Sequence, residues 1–157
     1  MRQIHVKADA VLDAHPEDVY AAIADYKHGH PNIIPKESFP DLQVEQSGYG
    51  AGTIINFKFK ALGVVKSFHQ RVTEPEPGRV LVEQDIDTPQ NATTTFTVTP
   101  VDDGQKAHVE IATTMNRTPG LTGLVEQVAV PMINVRVYRK ELKLLEAFAQ
   151  RGSVRVG

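Results

Sequence analysis

Residues 106–149, KAHVEIATTMNRTPGLTGLVEQVAVPMINVRVYRKELKLLEAFA, change their apolar period partway through, and that change decides the fold. Before Thr118-Pro119-Gly120, Val109, Ile111 and Met115 share the odd-numbered register of a strand with one buried face. After it the apolar residues return at helical spacing to about Ala149. Leu121, Leu124, Val125 and Val128 form one stripe and Ile133, Val137, Leu144 and Phe148 the next, broadened by Tyr138, Leu142 and Leu145. Pro131 is expected to end or kink the first segment, because it has no N–H to give the preceding turn. Arg151-Gly152 is expected to close the helix.

Working back from this stretch, strand candidates occupy residues 42–46, 53–61, 64–73, 79–87, 92–99 and 106–115, separated by Gly, Pro and Asp-Gly punctuation. Asp102-Asp103-Gly104 is the clearest hairpin turn. Six consecutive strands with short turns imply an antiparallel meander, since parallel pairing would need crossover helices. Ile4, Val6, Ala8, Ala10 and Leu12 alternate as a first strand. Pro16-Glu17-Asp18 then starts a short amphipathic helix carrying Val19, Ala22, Ile23 and Tyr26, with His15 as its cap. Residues 25–40 hold Pro31, Pro35 and Pro40 and read as a loop with at most one helical turn. The fold class expected is α+β: a curved antiparallel sheet of about seven strands around a long C-terminal helix, as one domain over residues 1–157.

Composition narrows the function. The chain has no cysteine, which excludes disulfides, thiolate nucleophiles and thiolate zinc sites. A net charge of −2, from 17 basic and 19 acidic side chains, argues against nucleic acid and anionic membrane as partners. No signal-type segment and no run of ~18 apolar residues occurs, so a cytoplasmic location without stable membrane insertion is expected.

Two segments carry a family likeness. Pro16-Glu17-Asp18-Val19-Tyr20-Ala21-Ala22-Ile23-Ala24-Asp25-Tyr26 has a Pro-Glu pair opening a helix and an Asp-aromatic pair closing it, and Gly48-Tyr49-Gly50-Ala51-Gly52-Thr53 forms a glycine turn between strands. With the order of elements, these resemble the START-like (SRPBCC) superfamily of polyketide cyclases/dehydrases and the birch-pollen-allergen group. The resemblance spans nearly the whole chain and implies a helix-grip fold with a cavity between sheet and helix. It leaves function open, since members include both binders and catalysts. Many members carry Trp after the Asp-aromatic pair; this chain has none, which implies a less aromatic mouth.

The apolar register of each strand names a wall for that cavity. Strand three gives Ile55, Phe57 and Phe59, strand four Val64, Phe68 and Val72, and strand five Val80, Val82 and Ile86. Strand six gives Phe96 and Val98, strand seven Val109, Ile111 and Met115, and the helix Ile133 and Val137, with Tyr26 at the mouth. Polar residues in the same registers are Gln70, Gln84, Thr94 and Thr113. All four are neutral, which suits orienting a ligand better than moving a proton.

The reading favoured is therefore a carrier or sensor of a small hydrophobic ligand such as a lipid, quinone or polyketide-like compound, without a cofactor. A cyclase/dehydratase-type enzyme is the alternative, with His69, Tyr49 or Asp85 moving protons if a β-bulge turned His69 or Asp85 inward. A homodimer joined along a sheet edge or apolar patch is a third possibility. No metal is expected: Asp25, His28 and His30 form an incomplete ligand set. The glycine run precedes a strand, so it is no phosphate loop.

Overall fold

The computed structural model describes residues 2–156, with side chains for residues 2–152. Strand β1 (Gln3–Leu12) is followed by helix α1 (Pro16–Ala24), a short 3₁₀ turn (His30–Asn32), β2 (Leu42–Gln46), β3 (Ile54–Ala61), β4 (Val64–Glu76), β5 (Val80–Asp85), β6 (Thr93–Val101), β7 (Lys106–Asn116) and α2 (Leu121–Val156). The seven strands form one antiparallel sheet in the order β1-β7-β6-β5-β4-β3-β2. The meander is as expected, and β1 closes its far edge by pairing Ile4 with Met115 through to Leu12 with Ala107.

Alternation places Ile4, Val6, Ala8 and Leu12 inside, joined on the same face by Ile55, Val72, Leu81, Phe96, Val98, Val109 and Ile111. The C-terminal half of α2 covers that face with Val137, Tyr138, Leu142, Leu145 and Ala149, and α1 adds Val19, Ala22 and Ile23. Burial of this cluster is the main favourable term, at roughly 25 cal/mol per Å² of apolar surface removed from water.

The opening motif and the glycine turn are one structural unit. The Asp25 N–H continues to the Ala21 carbonyl, while Asp25 Oδ1 accepts the N–H groups of Lys27 and His28 at 3.1 and 3.0 Å. The Tyr26 N–H donates to the Gly48 carbonyl and the Gly50 N–H to the Ala24 carbonyl, docking the turn on the end of α1. Gly50 has φ +60°, and a Cβ there would meet Glu74 Oε1 at 2.2 Å. That carboxylate is held by the Ala51 N–H and the Tyr20 hydroxyl, so a side chain here would have to break those bonds as well as adopt the left-handed backbone, and glycine is favoured. His15 sits at the α1 N-cap without a side-chain cap bond.

One expectation about α2 is corrected: the helix continues past Gly152 to Val156. Of the two outcomes expected at Pro131, the helix does not end there but runs through it. Only the bond to the Gln127 carbonyl is sacrificed at Pro131, and much of that turn faces water, which can replace it. Its first apolar stripe is also uncovered: Leu121, Leu124, Val125 and Val128 are exposed.

Candidate functional site

Between the sheet and the middle of α2 lies a cavity of about 70 Å³. One side is aromatic. Phe57 and Phe68 are cross-strand partners whose rings stack with centroids 5.1 Å apart, and Phe39, from the proline loop, tilts against Phe57 and Phe59 at 5.7 and 5.2 Å. The other side is polar. Glu83, Thr94 and Thr113 form one cross-strand row through β5, β6 and β7, and Gln70, Asn134 and Tyr138 complete the lining with Ala92, Met115 and Val137.

Glu83 is the acid on this wall, and the loop after α1 holds it. The Asp25 carbonyl accepts the N–H groups of both Gly29 and His30, folding the chain back on α1 so closely that a Cβ at Gly29 would lie 2.5 Å from the Ala22 carbonyl oxygen. His30 is thereby buried. Its Nδ1 lies 2.9 Å from the Ile23 carbonyl, an acceptor only, so Nδ1 carries a proton and Nε2 faces Glu83 Oε2 at 3.6 Å. Tyr26 stacks on His30 with centroids 4.4 Å apart and donates its hydroxyl to the same Glu83 oxygen at 2.6 Å. Burial, and then the Glu83 charge, push the Tyr26 hydroxyl well above its usual range, keeping it a donor.

The remaining polar groups divide into satisfied and unsatisfied ones. Thr94 and Thr113 share a hydrogen bond of 2.7 Å, and Thr113 shares another with the Tyr138 hydroxyl, itself raised by burial. Gln70 donates to Asp85 through Nε2 at 2.7 Å, and its buried Oε1 has no partner among the described residues. Glu141 on α2 is buried with Oε2 unpartnered, and burial followed by the Glu83 charge raises its carboxyl well above the usual range. An unpartnered buried acceptor costs roughly 1–3 kcal/mol, and a ligand donor reaching Gln70 Oε1 would remove that cost.

The structure brings Phe57, Phe59, Phe68, Gln70, Thr94, Thr113 and Val137 together on the cavity wall. Ile55, Phe96, Val98 and Ile111 share the inner face but pack in the core, and Tyr26 lies behind the wall against Glu83. Ile133 is half-buried outside the lining.

Strand β5 corrects the register expected for it. Leu81, Glu83 and Asp85 point inward, whereas Gln84 is exposed and donates to Asn91, with Val80 and Val82 half-buried on the other face. Val80-Leu81-Val82 is apolar on both faces, so alternation alone could not choose, and the irregularity in β4 between Thr73 and Glu76 sets the pairing. Val64, expected on the wall, lies exposed at the hairpin end.

The proton-transfer candidates lie elsewhere or are occupied. His69 faces away from the cavity, its Nε2 2.6 Å from Glu45 Oε2. Tyr49 is exposed at the turn beside Tyr20 and Glu74. Asp85 does turn inward, but its oxygens accept from Gln70 Nε2, the Thr88 hydroxyl and the Ala92 N–H at 2.7, 2.7 and 2.9 Å, which ties down the β5–β6 loop. Sequence reading missed Glu83 as an inward group, along with Phe39, His30, Asn134 and Glu141. The available signal was Leu81-x-Glu83-x-Asp85, an alternate register that places Asp85 opposite the amide of Gln70. Among the described residues no group of three His, Asp or Glu is placed to hold a metal ion.

Comparison with known proteins agrees with this architecture. The family described as polyketide cyclase / dehydrase and lipid transport matches residues 3–150. Among solved structures, the KanY protein is 25% identical with a TM-score of 0.80, covering 96% of this chain and 99% of its own. The Zhui aromatase/cyclase from Streptomyces sp. R1128 is 16% identical with a TM-score of 0.78, covering 96% and 95%. Ara h 8.0201 is 9% identical with a TM-score of 0.65, covering 96% and 99%; these last two likenesses are of fold alone. No curated protein matches the chain.

Proposed function

The chain belongs to the polyketide cyclase/dehydrase and lipid transport family, and on that premise we propose that it acts as one binding domain for a small, mostly apolar molecule carrying a hydrogen-bond donor, as carrier or sensor. The observation that supports this reading is the division of the cavity: phenylalanines on one side, and on the other the unpartnered Gln70 Oε1 beside Glu83. The apolar body of the ligand would lie against Phe57, Phe59 and Phe68, and its hydroxyl would reach the polar row. Ligand pockets commonly combine an apolar wall with a few convergent polar groups in this way.

Size sets a condition. At about 70 Å³ the hollow is smaller at rest than the ~150 Å³ cavity that takes up benzene. Ligand entry therefore requires the half-buried phenylalanines, Phe39 first among them, to turn aside. Native mass spectrometry of freshly purified protein tests the reading: a non-covalent small-molecule adduct, lost when Val137→Trp fills the cavity, is the expected result. Protein that carries no adduct and takes up no phenol or quinone from a mixed pool would refute it.

A second reading is favoured by Glu83 alone, and it replaces the His69, Tyr49 and Asp85 assignment. In a cyclase/dehydratase-type reaction, Glu83 would take a proton from the carbon between two substrate carbonyls, the C–H electron pair moving into the enolate, with Tyr26 and His30 holding the carboxyl in place. Turnover of a polyketide mimic that Glu83→Gln abolishes while binding persists would support it. Turnover unaffected by that change would end it.

A further inference from the structure

The acids under the sheet are buried without a lysine or arginine among them. Glu83 and Asp85 on β5 and Glu141 on α2 are all buried, and among the described residues no Lys or Arg is. A buried acid is normally paired, because a lone charge gives up its hydration for nothing. Two of the three are accounted for. Asp85 accepts from Gln70, Thr88 and Ala92, and burial followed by the Glu83 charge favours the neutral form of Glu141. Glu83 is different. Tyr26 and His30 both approach its Oε2, at 2.6 and 3.6 Å, so Oε1 is the oxygen left to the cavity that Glu83 lines.

Gln70 supplies an independent observation. It is 3% exposed and lines the same cavity. The donors gathered on Asp85 fix that carboxylate as an acceptor, so the Gln70 amide must present its nitrogen there and cannot be turned around. Its Oε1 is therefore an acceptor with no partner among the described residues. The hydroxyls of Thr94, Thr113 and Tyr138, by contrast, bond one another. Register pairs Gln70 with Asp85 and Val72 with Glu83, which makes Gln70 and Glu83 diagonal neighbours on one face, within reach of a single group. Phe68, stacked on Phe57, stands on the same face of β4, two residues or about 7 Å along the strand from Gln70.

We propose that the polar end of the ligand is an ammonium, held between Glu83 Oε1 and Gln70 Oε1, with an aromatic body against Phe57 and Phe68. The inference rests on the reading of the cavity as a ligand site and narrows it to one chemical class, aromatic primary amines. An ammonium has three donors and no acceptor, which matches two open acceptors in a place without Lys or Arg. A hydroxyl has one donor and would leave one of those acceptors unpaired. A carboxylate would meet Glu83 with like charge. The ammonium bonds are charge-assisted, and the neighbouring phenylalanine faces attract a cation as well.

Calorimetric titration of the full chain with 2-naphthylmethylamine, 2-naphthylmethanol and 2-naphthoate, which share one body and differ in the head, tests this near neutral pH. The amine is expected to bind at least about tenfold more tightly than the alcohol, and the carboxylate most weakly. Glu83→Gln keeps an acceptor for the Tyr26 hydroxyl and removes the charge. In that variant the preference for the amine should disappear while the alcohol still binds, and the retained binding shows that the variant is folded. Equal affinity for amine and alcohol in the wild type would overturn the inference and leave the cavity reading standing, with His30 as the counter-charge of Glu83. Binding of none of the three would remove both. A preference for the amine that survives Glu83→Gln would also overturn it, by placing the ammonium elsewhere.

Discussion

The two halves of α2 have similar apolar spacing and opposite surroundings. Beyond Asn134, Val137, Tyr138, Leu142, Leu145 and Ala149 are buried against the sheet and α1. Before Pro131, Leu121, Leu124, Val125 and Val128 are also at helical spacing, i, i+3, i+4, i+7, and face solvent. Period thus reports that a helix has an apolar side, and only the path of the sheet decides whether anything covers it. The covered half holds the fold together, while the open half stands beside the cavity and the hairpin tip.

That contrast is broken most forcefully in the covered half. Leu145 is buried at 1% exposure, and Leu145→Ala is expected to cost roughly 2–5 kcal/mol, measured by urea unfolding. A loss below about 1 kcal/mol would mean that this half is not the anchor.

A buried acid sharpens the same point. Because burial and Glu83 raise the Glu141 carboxyl, the folded chain keeps a proton that the unfolded chain has released. Stability from this group is therefore intact below its unfolded value, near ~4.3, and declines as pH rises above it, by at most about 1.4 kcal/mol per pH unit. Glu141→Gln cannot ionise, so its stability should fall less between pH 5 and pH 8 than that of the wild type. Parallel pH profiles for the two proteins would show that Glu141 reaches water.

The smallest effect belongs to the open half. Val125→Ala removes methyl groups already in solvent and should change stability by less than about 0.5 kcal/mol. A loss of about 1 kcal/mol or more in urea unfolding would show that this stripe is covered in solution.

The architecture was legible because each strand was bounded by turn residues and the long helix announced itself by a change of period. Asp102-Asp103-Gly104 does turn the chain between β6 and β7, and β2 occupies Leu42–Gln46 as expected. The family likeness in residues 16–26 and 48–53 was structural: it described how the glycine turn seats on α1, and it carried no chemistry. The site was legible only where a strand is apolar on one face, as in β3 with Phe57 and Phe59. In β5, three consecutive apolar residues and an upstream irregularity concealed Glu83, and in the loop His30 is positioned by the Asp25 carbonyl and the close approach of Gly29 to α1. Neither is encoded in local period. The helix could not reveal its uncovered half because its cover, or lack of it, depends on residues far away in sequence.

The central claim is that the space under α2 admits a ligand whose body meets phenylalanine and whose donor meets Gln70 and Glu83. Calorimetric titration with 2-naphthol, a fused apolar ring system bearing one hydroxyl, measures this directly on the wild type and on Val137→Trp. Saturable one-site binding that weakens at least about tenfold, or about 1.4 kcal/mol, in the filled variant is the predicted result. No saturable binding, or equal affinity in the two proteins, would contradict it.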